Sequence, residues 1–257
     1  MNTTRWGCWS ELTVDAAAAT HVGRRDNNED AYLLDTDRGV FAVADGMGGY
    51  HGGEVASAVV VGSIERFVAR NAADGDATWP WGLEPGRSFV QNLIAVAIRI
   101  ANQQVMARRK GVLAQMGSTV VAVALDGHDA VLAHVGDSRI YRLRDGELDA
   151  LTRDHSLIEE LRATGQMEHP ANLGHIITRA IGFSPNTRPD LRVERVEAGD
   201  VLLLCSDGLS DPLGDDAIAR GLSCKSAEAA CTELVAAAYE AGGTDNITAL
   251  VLRFGER

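Results

Sequence analysis

Residues 40–49 read Val-Phe-Ala-Val-Ala-Asp-Gly-Met-Gly-Gly, and this stretch decides the fold. Its five apolar residues predict a buried strand that ends at Asp45, because short apolar runs bounded by Asp-Gly are typical of strands. Two other stretches repeat this arrangement: residues 130–137 read AVLAHVGD, and residues 201–208 read VLLLCSDG. The sequence therefore predicts several buried strands that each end in an aspartate.

Further strands and three helices surround these runs. Short β-branched segments predict strands at residues 32–35, 118–125, 139–143 and 246–254. Apolar residues at helical spacing predict helices at 53–70, 88–110 and 226–241, with a surface loop at 71–87. Tight turns at Asp126-Gly127 and Asp145-Gly146 indicate antiparallel hairpins, which favours an α+β sandwich over alternating βαβ units.

The composition narrows the classes of protein. The 257 residues include 24 Lys and Arg against 36 Asp and Glu, so the formal net charge is −12. This surplus of acid disfavours binding to nucleic acid or to an anionic membrane surface. A hydrophobic content of 46% excludes disorder over most of the chain, and without repeats or a long linker we expect a single domain over residues 1–257.

The expected location is the cytoplasm. The sequence contains no apolar run near the about 18 residues that span a bilayer, and residues 1–19 lack the pattern of a signal peptide. The cysteines, Cys8, Cys205, Cys224 and Cys231, form no Cys-x-x-Cys pair. We therefore expect free thiols in a reducing compartment.

Four aspartates stand where a predicted strand stops or starts: Asp45, Asp137, Asp207 and Asp245. Strand ends are rigid and their tips are open, so these carboxylates can converge on one cleft and bind Mg²⁺ or Mn²⁺ through oxygen. Glycines beside them allow close backbone approach. Ordinary Asp-Gly turns are the alternative, and the residues alone leave both interpretations open.

Residues 24–30 form a second polar cluster, Arg-Arg-Asp-Asn-Asn-Glu-Asp. The guanidinium of Arg25 is suited to bidentate contact with a phosphate, and Glu29 and Asp30 are suited to holding metal-bound waters. A solvated loop explains the same residues equally well.

Seven short motifs occur along the chain: Arg25-x-x-Asn28-Glu29-Asp30, residues 43–49 with 53–57, Gly117-Ser118-Thr119, residues 135–139, residues 151–156, Ser206-Asp207-Gly208-Leu209 and residues 243–248. They stand in the order found in metal-dependent protein phosphatases of the type 2C (PPM) family, which the chain resembles from about Val22 to Phe254. The Asp-Gly-Met-Gly-Gly form at residues 45–49 is similar to that of bacterial members.

The resemblance implies a four-layer αββα sandwich, in which two central antiparallel sheets are flanked by antiparallel helix pairs. It also implies a protein serine/threonine phosphatase with two Mn²⁺ or Mg²⁺ ions at one edge of the sandwich, and a third, weaker site. A bridging metal-bound water would attack phosphoserine or phosphothreonine in line, with no phosphoenzyme. The chain has no Cys-x5-Arg loop, which agrees with this chemistry.

The resemblance also assigns roles to the two metals' ligands. Asp45 would bridge both metals, the carbonyl of Gly46 would bind one, and Asp207 and Asp245 would bind the other. Arg25 would hold the substrate phosphate. These residues form the implied catalytic set.

A second group of residues would support the first. Asp137, with Asp207, would serve the third metal. Glu29 and Asp30 would act through metal-bound water, and Asp211 is a further outer-sphere candidate because it follows Asp207 closely.

Several roles stay open. Met47 stands where many eukaryotic relatives have a histidine, so the leaving group would receive its proton from a metal-bound water or from His51. We expect His134 and His155 to be structural. The aromatic pair Trp79 and Trp81 would anchor the 71–87 loop rather than bind a partner. Residues 157–175 would form a flap that influences substrate choice.

The implied partner is a phosphoprotein substrate, and the implied role is to reverse a bacterial serine/threonine kinase; type VI secretion control is one such context. We expect neither nucleic acid nor membrane as a partner. One alternative is a noncatalytic phosphatase-like binding module, which would be expected to lose metal carboxylates. The other is a two-metal phosphohydrolase that acts on a small molecule.

Overall fold

Two antiparallel sheets lie face to face in the computed structural model, which describes residues 12–49, 52–73, 79–165 and 176–257. The first sheet has the strand order β1 (Leu12–His21), β11 (Ile247–Glu256), β10 (Val201–Cys205), β7 (Arg139–Arg144) and β8 (Glu147–Ala150). The second has the order β2 (Asp30–Asp35), β3 (Val40–Met47), β5 (Val120–Asp126), β6 (Asp129–Val135) and β9 (Asp190–Arg195), and β4 (Gly117–Ser118) pairs with β3.

Helices cover the outer faces of both sheets. The described helices are α1 (Gly52–Ala73), α2 (Phe89–Arg108), α3 (Leu157–Ala163), α4 (Asp207–Ser210), α5 (Asp215–Leu222) and α6 (Ala227–Glu240), with a short 3₁₀ helix at Gly111–Leu113. Helices α1 and α2 pack on each other and on the second sheet, whereas α5 and α6 pack on each other and α6 lies on β1 and β11. The order of layers is therefore helix, sheet, sheet, helix, which confirms the predicted α+β sandwich.

The apolar runs explain why each sheet is buried on both faces. Side chains of a strand alternate between its two faces. In β3, Phe41 and Val43 face the opposite sheet, whereas Val40, Ala42 and Ala44 pack towards α1 and α2. Both sets are buried, so the run has no polar face.

Strand β10 repeats this division in the first sheet. Leu202 and Leu204 belong to the core between the sheets, and Val201, Leu203 and Cys205 belong to the core beneath α5 and α6. Strands β3 and β10 are thus fixed on both sides, and their ends are held in place.

Some predicted boundaries were wrong. Helix α1 continues to Ala73, so residues 71–73 of the predicted 71–87 loop are helical. The side-chain amide of Asn71 donates to the carbonyl of Phe67, one turn earlier, at 2.7 Å. Helix α2 begins after Ser88, which forms a capping box with Gln91. Residues 74–78 of the loop lie outside the described residues.

The two tryptophans of this loop behave differently. Trp79 is buried, and its ring packs against Phe67 and Phe89 with centroid distances of 5.6 and 5.1 Å. It anchors the loop, as predicted. Trp81 is exposed, with the guanidinium of Arg99 3.9 Å from its ring centroid.

None of the helices in the described ranges combines the length and apolar character that a bilayer-spanning helix needs.

We expect Leu202→Ala to lower the free energy of unfolding by about 2–5 kcal/mol, because it leaves a cavity between the two sheets. Leu83→Ala is the matched control: Leu83 is 58% exposed, and its loss should change stability by no more than about 0.5 kcal/mol. Chemical denaturation measures both. Equal losses would contradict a core that lies between the sheets.

Candidate metal centre

The tips of three strands meet at one cavity of about 450 Å³. Asp45 lies near the end of β3, Asp207 lies two residues after the end of β10, and Asp245 lies two residues before β11. Strands β10 and β11 are neighbours in the first sheet, and β3 belongs to the second. The cavity therefore lies at an edge of the sandwich, where the two sheets come together.

Two of these carboxyl groups interact most closely. The carboxyls of Asp45 and Asp207 lie near enough for each to change the pKa of the other. Burial, together with the charges of Asp30 and Asp207, raises the pKa of Asp45 well above its usual range. Burial also raises the pKa of Asp207, and the charges of Asp211 and Asp245 add to that effect.

Two more carboxyl groups stand behind the first set. Burial raises the pKa of Asp137 to about 7, with a further contribution from the charge of Asp207. Burial likewise raises the pKa of Asp30 to about 7, although Ser206 and Thr248 donate to its Oδ2 at 2.8 and 2.6 Å and oppose the shift. The charges of Asp30 and Asp137 both act on Asp45.

Three carboxylate oxygens in this group lack a hydrogen-bond donor. The Oδ1 atoms of Asp30, Asp137 and Asp207 are buried and make no hydrogen bond. A buried carboxylate oxygen without a donor or a cation is costly. Hard divalent cations take oxygen ligands of this kind, so the residues present fit a Mg²⁺ or Mn²⁺ centre.

The backbone around Asp45 is fixed by Thr119. The N–H of Asp45 donates to Thr119 Oγ1 at 3.0 Å, and the N–H of Thr119 donates to the carbonyl of Asp45 at 2.8 Å. Thr119 Oγ1 in turn shares a hydrogen bond of 2.7 Å with Ser138 Oγ. Asp45 is therefore held by its main chain, and its carboxylate is left for the cavity.

Gly46 has no room for a side chain. A Cβ at this position would lie 2.0 Å from the carbonyl oxygen of Gly53 in α1 and 2.6 Å from that of Glu29. The N–H of Gly46 donates to the Glu29 carbonyl at 3.1 Å. This close approach brings the Gly46 backbone and the Glu29 side chain to the same cavity.

Arg25 is held at the cavity by the chain around Asp245. Its Nη2 donates to Asp245 Oδ2 at 2.7 Å, and its Nε donates to the carbonyl of Thr244 at 3.0 Å. The side chain is 57% exposed, so the pair adds little stability. Its effect is to orient the guanidinium at the edge of the cavity.

Asn246 ties the segment that carries Arg25 and Glu29 to β11. Its Oδ1 accepts from the N–H of Glu29 at 2.7 Å, and its Nδ2 donates to the carbonyls of Val22 and Asn27, each at 2.9 Å. The residue types of Asn246, Thr119, Ser206 and Thr248 do not by themselves predict these roles. All four residues belong to the phosphatase-like motifs of the sequence, which is the one signal that marks them.

The structure brings together most of the predicted site residues. Arg25, Glu29, Asp45, Gly46, Asp207 and Asp245 line the cavity, whereas Asp30 and Asp137 lie close enough for their charges to act on Asp45. Asp211 is exposed, and its charge acts on Asp137 and Asp207. Met47 and Ile177 add an apolar wall that was not predicted as part of the site.

Two predictions fall partly on residues outside the described ranges. His51 lies there, so its assignment as proton donor stays a prediction, as does the alternative of water. Of the predicted flap at 157–175, residues 157–163 form α3 and residues 166–175 lie outside the description. Ser156 pairs with Ile177 where the segment begins and ends.

In the presence of a chelator, we expect the free energy of unfolding to fall as the pH rises from about 5 to 8. Asp30 and Asp137 have pKa values of about 7 in the folded chain against an ordinary value of 3.8, so the folded state binds protons that the unfolded state has released. This stabilisation is complete at low pH and is lost as the pH rises through 7.

Asp137→Asn removes one of these groups, so its stability should fall less steeply with pH than that of the wild type. Asp37→Asn, in an exposed turn, is the matched control and should keep the wild-type slope. Urea denaturation at pH 5.5 and 8 compares the three proteins. Identical slopes for all three would contradict the raised pKa of Asp137.

Comparison with known proteins agrees with this geometry. The family model described as protein phosphatase 2C matches residues 18–238. Serine/threonine protein phosphatase PstP of Mycobacterium tuberculosis is 36% identical over 233 residues, which cover 88% of this chain and 42% of PstP. This chain therefore spans less than half the length of that relative.

Solved structures show the same fold. The crystal structure of the catalytic domain of PstP in complex with two manganese ions is 34% identical with a TM-score of 0.80, and the match covers 95% of this chain and 99% of that one. The structure of PppA, a key regulatory component of the type VI secretion system in Pseudomonas aeruginosa, is 33% identical with a TM-score of 0.78, covering 95% and 100%. This chain belongs to the protein phosphatase 2C family.

Proposed function

We propose that this chain is a metal-dependent protein serine/threonine phosphatase, which hydrolyses phosphoserine and phosphothreonine in proteins. One observation carries the proposal: Asp45, Asp207 and Asp245 come from three different strand ends and line one cavity together with Arg25. If these aspartates only formed ordinary Asp-Gly turns, they would not be expected to converge on one cavity.

The charge of the cavity supports a role for cations. Its described lining includes four carboxylates, those of Glu29, Asp45, Asp207 and Asp245, and one guanidinium, that of Arg25. A phosphate dianion would be repelled from such a surface unless cations neutralised it. The cavity can therefore accept the substrate only when metal is bound.

The proposed ligands follow from this reasoning. Asp45, the carbonyl of Gly46, Asp207 and Asp245 would hold two Mn²⁺ or Mg²⁺ ions, and Asp137 with Asp207 would hold a third. When bound, such ions activate water as a nucleophile and stabilise the charge of the transferred phosphoryl group. The two manganese ions in the PstP catalytic domain support this choice of cofactor.

The chain's own residues bind and orient the substrate. Arg25 would contact two phosphate oxygens through its planar guanidinium, which a lysine ammonium cannot do. Asp245 and the Thr244 carbonyl fix the guanidinium before substrate arrives. Glu29, Asp30 and Asp211 would surround the metals in the outer sphere.

The described cysteines offer no competing nucleophile at the cavity, because none of them lines it. Burial raises the pKa of both Cys205 and Cys231 to about 12, and buried thiols are poor nucleophiles. Cys205, Cys224 and Cys231 are free, and Cys8 lies outside the described residues. This supports direct attack by water, without a phosphoenzyme.

The proposed substrate is a phosphoprotein, and the proposed antagonist is a serine/threonine kinase of the same cell. Because the structural neighbour PppA is a regulatory component of type VI secretion, control of that system is one setting in which to test the proposed role. A noncatalytic module has no evident need for Asp45, Asp207 and Asp245, all of which this chain keeps. The kinase, the cytoplasmic location and the single domain over residues 1–257 stay predictions.

The function is tested with a phosphothreonine peptide in Mn²⁺, in Mg²⁺ and in EDTA. We expect release of phosphate with either metal and none in EDTA. A nucleotide in parallel tests the small-molecule alternative, which would be supported by faster turnover of the nucleotide. Turnover that persists in EDTA would overturn the metal-dependent mechanism.

Asp207→Asn should lower Mn²⁺-dependent hydrolysis of the peptide by more than about 100-fold, since loss of a partner outside the ligand shell alone costs about 10–100-fold. The variant should stay folded in EDTA, because it removes a buried carboxylate with a raised pKa. Asp216→Asn, exposed in α5, should keep wild-type activity. Wild-type turnover by Asp207→Asn would contradict the site.

Arg25→Ala should lower kcat/KM by about 10–150-fold, the equivalent of losing about 1.5–3 kcal/mol from hydrogen bonds to a charged group. Arg25→Lys keeps the charge without the planar fork and should recover part of the loss. Steady-state kinetics with the peptide measures both variants. Equal activity of Arg25→Ala and the wild type would remove Arg25 from substrate binding.

A further inference from the structure

His134, His155 and Asp190 form a cluster beside the candidate metal centre. The two imidazole rings are stacked, with centroids 4.5 Å apart and planes inclined by 15°. One nitrogen or oxygen from each of the three residues lies within 4.8 Å of the others, as in a metal site. The hydrogen bonds of His155 argue for a different role.

The protonation of His155 follows from its partners. Its Nδ1 faces the N–H of Gly136 at 3.0 Å. A backbone N–H can only donate, so Nδ1 carries a lone pair and the proton of the neutral ring must lie on Nε2. Burial lowers the pKa of His155 to about 4, so the ring is neutral at pH 7.

The protonated Nε2 is committed to Asp190. It donates to Asp190 Oδ2 at 3.2 Å, and Asp190 Oδ1 accepts from Arg179 Nη1 at 2.7 Å. Arg179 Nη2 lies close to the same nitrogen. Because a guanidinium only donates, it makes no hydrogen bond to a protonated Nε2, and Arg179 acts on His155 through its bond to Asp190. A nitrogen that carries a proton cannot bind a metal, so His155 is not a ligand of a second metal site.

His155 holds the backbone of Gly136, the residue that precedes Asp137. His155 accepts the N–H of Gly136 through Nδ1, and its own backbone N–H donates to the carbonyl of Gly136 at 2.9 Å. Both backbone polar groups of Gly136 are therefore bonded to the same residue. A glycine has the freest backbone of all residues, and these two bonds restrict it.

Gly136 cannot be replaced by a stiffer residue. Its φ of +110° is in the region that favours glycine, and a Cβ would lie 2.6 Å from Cγ2 of Thr119, the residue that holds the backbone of Asp45. The backbone conformation before Asp137 therefore depends on hydrogen bonds from another part of the chain. His155 provides them.

We propose that His155 is a positioning residue, which orients Asp137 for the third, weaker metal through its two hydrogen bonds to Gly136. Asp190 acts behind it by fixing the proton of His155 on Nε2. The inference rests on the proposed function, since it needs Asp137 as a metal ligand. Asp137 is buried and its Oδ1 makes no hydrogen bond, so its direction is set by the chain that carries it.

Two substitutions separate this role from simple packing. The side-chain oxygen of asparagine can take the place of Nδ1, so His155→Asn keeps an acceptor for Gly136 and loses the contact with Asp190. The longer side chain of His155→Gln reaches towards Asp190 and leaves the Gly136 N–H without that acceptor. Both are uncharged and similar in size to histidine.

Mn²⁺ binding is measured by EPR titration of the free ion, for the wild type, Asp137→Asn and both His155 variants. We expect the wild type to bind one ion more weakly than two others and Asp137→Asn to lose that ion. His155→Gln should weaken it by about 10–100-fold, and His155→Asn should stay close to the wild type. The two tighter ions should be unaffected, and unfolding in EDTA checks that each variant is folded.

The reverse order of the two variants, or equal weak-site affinities, would overturn the role of His155. If Asp137→Asn binds Mn²⁺ as the wild type does, this inference is overturned and the proposal of a two-metal phosphatase is unaffected. A wild type that binds no Mn²⁺ and releases no phosphate would overturn the proposed function itself.

Discussion

Mutual repulsion among buried carboxylates is the constraint on which the site depends. The charges of Asp30, Asp137 and Asp207 all raise the pKa of Asp45. The pKa values of Asp30 and Asp137 are themselves raised, in part by the charge of Asp207. Such a cluster opposes folding unless protons or cations neutralise it. Three of its oxygens make no hydrogen bond. Bound cations would supply the positive charge that the protein does not place beside these oxygens. On this view the site is only complete when metal is bound.

The sandwich allows the carboxylates to be held together despite this repulsion. Strands β3 and β10 are buried on both faces, and the core between the sheets fixes one against the other. Thr119 holds the backbone of Asp45, and Asn246 holds the segment that carries Arg25 and Glu29. The acidic side chains thus contribute charge and oxygen ligands, while stability comes from apolar burial elsewhere in the fold.

Much of the fold and the site could be predicted from the sequence. Apolar runs such as residues 40–44 and 201–205 identify the central strands, and the aspartates that follow them line the cavity. Strand β1 was missed because residues 16–19 are all alanine, which gives no alternation of polar and apolar side chains. The Arg25–Asp245 pair and the bonds of Asn246 join residues over 200 positions apart. Local patterns do not contain such contacts.

The central claim is that the strand-end carboxylates bind divalent metal, and the most direct test is anomalous diffraction from crystals grown with Mn²⁺. We expect at least two anomalous peaks in contact with the carboxylates of Asp45, Asp207 and Asp245. Crystals of an Asp45→Asn variant grown in the same way should lose at least one peak. Wild-type crystals of active protein that show no manganese at these carboxylates would contradict the account.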